Sequence, residues 1–219
     1  MFKSINLIYK SIPFFLKGVS MTLQAAFFAM LIGLSIGTIL GILNCKKLKL
    51  KKLQKFINAY VLVIRGTPVF LQILIAYYVL PDFLGINLPP FVAGVFALGC
   101  NSIAYVSEIV KCGINSIPEG QWDASYVLGY GSFSTLKSVI LPQMLKNVLP
   151  AITNELSALV KETSLLSTIG LLELTKVGTN IIARELDPIT IYLSIGFLYF
   201  LITTTISFMA KKFEGALQS

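Results

Sequence analysis

Five long apolar stretches decide what this chain can become. They cover about residues 19–43, 57–80, 90–110, 139–160 and 189–210. Each reaches the roughly 20 apolar residues that a helix needs to cross a hydrocarbon core about 30 Å thick. Backbone in lipid must satisfy its own N–H and C=O groups, so these stretches are expected as helices. Fitting five of them into 219 residues leaves only short connections. The expected fold is therefore all-α: one polytopic membrane domain over residues 1–219 with no separate soluble domain. The chain is 55% hydrophobic and 13% charged, against about 45–50% and about 25% in soluble domains. That balance excludes a soluble enzyme and a disordered chain.

The stretches differ in detail. The first is too long for the apolar core of a signal peptide and lacks a small-residue cleavage site, so it is read as retained. Its Gly33, Gly37 and Gly41 form a small-residue face suited to close helix contact. Arg65-Gly66-Thr67-Pro68 interrupts the second, and the fourth is the most polar. Residues 165–183 carry Gly170, Glu173, Lys176 and Asn180, and are expected as a re-entrant or surface helix rather than a sixth span.

Net charge is +8, from 18 Lys and Arg against 10 Asp and Glu. Six of those lysines lie between Lys46 and Lys55, beside an apolar run. The pattern marks a cytoplasmic loop and not a nucleic-acid module, which would need a soluble basic surface interleaved with aromatics. With that loop inside, ten loop cations lie inside and six outside, placing the N-terminus outside and the C-terminus in the cytoplasm. The chain has no histidine, which excludes Ser-His triads and His-ligated metal, and no catalytic or metal residues are expected. Cys45, Cys100 and Cys112 lack paired spacing and read as apolar fillers.

Residues 113–138 are a short loop that is too apolar. A helix is expected from Ile117-Pro118-Glu119, with Pro118 in its first turn and Asn115 or Ser116 as cap. Trp122, Tyr126, Tyr130 and Phe133 recur at spacings of 4, 4 and 3, an aromatic stripe on one helical face over about 118–133. Gly129 and Gly131 interrupt the helix or admit another backbone. Pattern alone balances a surface covered by membrane or bundle against a helix docking into a partner's groove.

Asp123-Ala124-Ser125, three residues, Gly129, nine residues, Val139, one residue and Leu141-Pro142 resemble the EAA loop of ATP-binding-cassette importer permeases. Arg65-Gly66-Thr67-Pro68, Asn101-Ser102-Ile103-Ala104-Tyr105, Glu119-Gly120-Gln121-Trp122-Asp123-Ala124 and Lys161-Glu162-Thr163-Ser164-Leu165 resemble the polar amino acid branch of that family. The resemblance spans nearly the whole chain. It implies a cell-membrane permease subunit that pairs with a second permease subunit. Two ATPase subunits bind ATP and Mg below, a solute-binding protein docks above, and polar amino acids are the substrate. It also implies that the helix of Trp122, Asp123, Ala124, Ser125, Tyr126 and Gly129, closed by Leu141-Pro142, sits in a groove of the ATPase. Independently, the chain has no GxxxxGK[ST] motif and so cannot supply a P-loop. The alternative is a small secondary transporter or channel that uses no ATP.

Intramembrane polar residues are the other candidates, because burying them is costly. Asn101 lies near the middle of the third stretch and shares a face with Tyr105 and Glu108. It is expected to line a substrate pathway or to join two helices, with Ser102 beside it. Thr67 adjoins the break at Pro68, where a freed carbonyl favours substrate contact or a structural kink. Arg65 snorkels or pairs with Glu108 on this reading. Glu155 and Glu162 share a face of the fourth stretch, and either suits an amino or cationic group of a substrate. Thr163 joins them through the Lys161–Leu165 match, and a salt bridge to Lys161 is the other reading of Glu162.

Overall fold

The computed structural model describes residues 2–218, with side chains from residue 5 to residue 215. Among these residues the regular structure is helical. The long helix α1 runs Phe2–Leu43, and α2, Lys51–Arg65, follows a lysine-rich turn. Gly66, Thr67 and Pro68 break the chain before α3, Val69–Leu74, a π-helical turn Ile75–Val79 and α4, Leu80–Leu84. Helix α5 is Pro90–Asn115, the short α6 is Glu119–Val127, and α7 is Ser132–Thr135. A second π-turn, Leu136–Ile140, leads into α8, Leu141–Glu162, which tightens to a 3-10 segment, Thr163–Ile169. Helices α9, Leu174–Glu185, and α10, Pro188–Gln218, complete the chain.

Three helices are each long and apolar enough to cross a membrane: Ile5–Leu43, Pro90–Asn115 and Pro188–Gly215. Two bent pairs raise the count to five. Lys51–Arg65 and Val69–Leu84 meet at 100°, and Ser132–Ile169 and Leu174–Glu185 meet at 49°. The first break follows from local chemistry. Pro68 has no N–H to continue the helix and pushes Thr67 out of the helical region. Within segment 165–183 the chain bends away from the fourth stretch, the geometry of a broken span or a re-entrant loop, and its Leu174 and Gly178 are buried.

Several boundaries differ from the sequence reading. The first helix starts 17 residues before residue 19 because its N-terminal part is held outside the apolar window: Phe15 packs with Leu174, Ile191 and Ile195. The fourth begins at Ser132, not 139. Both π-turns stand one residue before a Leu-Pro pair, Leu80-Pro81 and Leu141-Pro142, and each closes with an i→i−5 bond, Leu80 N to Ile75 O and Leu141 N to Leu136 O. Widening the turn relieves the clash between a proline ring and the carbonyl four residues back, so the helix continues through the proline.

The interface of α1 with α5 is the largest in the molecule. Gly33, Gly37 and Gly41 form it, as their spacing predicts. A Cβ on Gly37 would lie 2.8 Å from Val106 Cβ, and one on Gly41 2.6 Å from Ser107 O. Apolar side chains gain little from leaving lipid, so this close backbone approach, through dispersion, holds the pair. At the lysine-rich end Trp122, Ile140 and Met144 are buried together with Cys45.

Candidate functional site

Two groups of residues stand out. The first is α6 and the turn after it. Trp122 is only 2% exposed and packs under Ile114, Ile117 and Leu136. Lys47 from the first loop caps it, with Nζ 6.0 Å from the indole centroid and 3.1 Å from Glu119 Oε1. Lys46 N donates to Asn115 Oδ1 at 3.2 Å, and Ser116 Oγ donates to Gly113 O at 2.8 Å. Neither Asn115 nor Ser116 therefore caps α6, whose N-cap position is Pro118. The lysine loop thus does structural work that charge counting did not reveal.

The helix ends at Val127, not at 133. Tyr130 N donates to Ser125 O and Gly129 N to Tyr126 O, both at 3.0 Å, the double bond of a Schellman turn. Gly129 has φ +85°, the left-handed conformation that costs other residues about 1–2 kcal/mol. The four aromatics consequently do not share one face. Trp122 turns into the bundle, while Tyr126, Tyr130 and Phe133 are exposed. The exposed apolar surface is centred on Val127, 88% exposed, and Leu128, 76% exposed. Asp123 and Ala124 are exposed beside it, and Ser125 is buried, its Oγ donating to Gln121 O at 2.8 Å. Pro142 is exposed and Leu141 half-buried in the following helix.

The second group lies where the second span breaks. Asn101 is buried, and its Nδ2 donates to Gln72 Oε1 at 3.1 Å. Gln72 Nε2 in turn donates to Ile64 O at 2.8 Å, Thr67 O at 3.2 Å and Thr67 Oγ1 at 2.9 Å. One side chain beyond the break therefore holds carbonyls before and within it and ties them to α5. Thr67 is exposed and lines an apolar groove of about 380 Å³ with Leu71, Gln72 and Phe96. Gln72 had no signal in a one-dimensional pattern, since only the bend returns it to Ile64.

Farther along α5, Arg65 lies over Tyr105, with the guanidinium carbon 5.0 Å from the ring centroid. Glu108 is paired with Lys111, not Arg65, at 3.2 Å through both oxygens. Glu155 and Glu162 are half-buried on the fourth span, and neither Glu162 nor Lys161 forms an ion pair among the described residues. Ser102 and Thr163 do not face this groove openly. Ser102 is fully buried against Gly33 and Met30, and Thr163 donates to Val160 O at 2.7 Å. Glu173 is a buried carboxylate that composition flagged only as a polar interruption. It accepts Thr175 N at 2.8 Å, Lys176 N at 2.7 Å and Tyr199 OH at 2.8 Å, and so caps α9. Full hydrogen bonding makes that burial tolerable.

A bundle of up to five spans, with a groove between helices and an apolar helix turn exposed at one end, is the architecture of a membrane permease. The family model for binding-protein-dependent transport system inner membrane components matches residues 29–218. A putative glutamine transport system permease protein of Rickettsia conorii is 36% identical over 98% of this chain and 97% of its own. The arginine transport system permease protein of Bacillus subtilis is 36% identical over 95% of this chain and 94% of its own. Among solved structures, a chain of an amino acid ABC transporter crystallised with histidines superposes with TM-score 0.88 at 36% identity, covering 95% of this chain and 96% of that one. The inward-facing methionine ABC transporter MetNI shares the fold, with TM-score 0.85 at 20% identity over 95% of this chain and 98% of that one. The chain belongs to the family of binding-protein-dependent transport system inner membrane components. It is an ABC importer permease subunit and not itself an enzyme.

Proposed function

We propose that this permease imports polar amino acids across the cell membrane, as the names of its relatives suggest, and that its engine is a pair of ATPase subunits docked on α6. The observation that carries the docking is the exposed Val127-Leu128 end of α6, held rigidly on buried Trp122 and Lys47. Such an apolar surface suits a groove in a partner. Asp123, Ala124, Tyr126 and Gly129 complete the docking turn. Trp122, Ser125, Leu141 and Pro142 support it from behind. The N-terminus lies outside and the C-terminus in the cytoplasm. A second permease subunit, identical or homologous, faces the groove, and a solute-binding protein delivers substrate from outside. Along the pathway Thr67, Asn101, Glu155 and Glu162 contact the passing solute, backed by Ser102 and Thr163. ATP and Mg belong to the partner.

The test is assembly of the permease with its ATPase and binding protein in liposomes. ATP-dependent uptake of glutamine or arginine is expected. Leu128→Asp should reduce ATPase co-purification at least tenfold while the permease still reaches the membrane. Uptake driven by an ion gradient alone would favour a secondary transporter instead.

A further inference from the structure

At the break of the second span, Arg65 stands without an ion-pair partner among the described residues. Arg65 is the last residue of α2, so its side chain leaves the helix where the second span unwinds. It forms no ion pair or hydrogen bond among the described residues, and its guanidinium lies over the Tyr105 ring. The carboxylate on the same wall, Glu108, is already held through both oxygens by Lys111. The wall formed by Arg65, Glu108 and Lys111 therefore carries one net positive charge.

Arg65, Tyr105 and Glu108 line two adjoining hollows of about 380 and 460 Å³. Both fall within the size of small-molecule sites, about 300–1,000 Å³. The first hollow also includes Asn147 and Ala151 of α8. Glu155 is four residues beyond Ala151, on the same helix face and about 6 Å farther along the axis. A cation on one wall and a carboxylate on the neighbouring helix match the two poles of a zwitterion. An arginine fork takes a carboxylate through two parallel hydrogen bonds, and stacking on an aromatic ring holds that fork in orientation.

We propose that Arg65, oriented by Tyr105, binds the α-carboxylate of the amino acid in transit, with the α-ammonium group toward Glu155. This assignment rests on the amino acid reading above and adds the residue that distinguishes amino acids from amines. The test is equilibrium binding to the purified permease–ATPase complex without binding protein, using radiolabelled L-glutamine and L-arginine as probes. L-argininamide, which lacks the carboxylate, is the competitor. For whichever probe the wild-type complex takes, Arg65→Gln should raise the half-saturating concentration at least tenfold. Arg65→Lys should fall between, and Tyr105→Phe should stay within about threefold of wild type. The wild type should prefer arginine to L-argininamide at least tenfold, and Arg65→Gln should lose that preference. Unchanged binding in Arg65→Gln overturns the proposal. So does loss of the assembled complex in both Arg65→Gln and Arg65→Lys, which would place the partner of Arg65 in the second subunit. If the wild-type complex binds neither probe yet hydrolyses ATP with its binding protein, the amino acid reading itself fails.

Discussion

At the scale of single residues, Gly129 connects sequence to chemistry most directly. A spacing motif identifies it, and the structure supplies the reason: it closes α6 in the left-handed conformation and turns the chain toward Ser132. A Cβ there would meet no atom within 4 Å, so the demand is conformational and not steric. Gly129→Ala should cost about 1–2 kcal/mol at this turn and reduce ATPase co-purification. Gly129→Asn, whose side chain tolerates the left-handed region, should restore most of it. Equal behaviour of the two variants would refute this account. Trp122 and Asp123 were legible from their place in the motif, but not which of them faces inward, because the helix-period argument assumed a helix that runs on to Phe133. Gln72 was illegible as a site-former, since the 100° bend brings it back to Ile64, and Arg65 was legible as a snorkelling residue or a partner of Glu108 but not as the residue over Tyr105.

At the scale of elements, hydropathy marked five stretches, of which three are single helices long and apolar enough to cross a membrane and two are bent pairs; lipid forces the backbone into helices wherever enough apolar residues follow one another. Hydropathy did not find where those helices stop. The start of α1 contains Lys10, Pro13 and Lys17, yet it stays helical through packing of Phe15 on α9 and α10. The π-turns before Pro81 and Pro142 leave no mark in hydropathy either. The glycine face of α1 was legible, but its partner was not, since any helix with small residues would serve. With α5 as that partner, Gly41→Ala forces a methyl to within 2.6 Å of the Ser107 carbonyl. Overpacking of this kind typically costs about 1–3 kcal/mol. The detergent-solubilised protein should unfold at a lower temperature, while Gly196→Ala, with open space around its Cβ, should match the wild type.

At the scale of the whole molecule, the proposed orientation puts α6 on the cytoplasmic side, and the three cysteines make it measurable. Cys45 is fully buried outside the spans, and burial pushes its thiol pKa up. Thiolate is the reactive species, so at neutral pH Cys45 holds less of it than a free cysteine does. Cys100 is half-buried midway along α5. Cys112 is exposed at the end of α5 nearest α6. A membrane-impermeant maleimide should therefore label Cys112 in inside-out vesicles and not in intact cells, and Cys112→Ser should abolish the signal. Labelling from the outer surface would place α6 outside, beyond reach of any cytoplasmic ATPase. It would also reverse the direction assigned to the hollow lined by Arg65, Tyr105 and Asn147, so this one measurement bears on both sites.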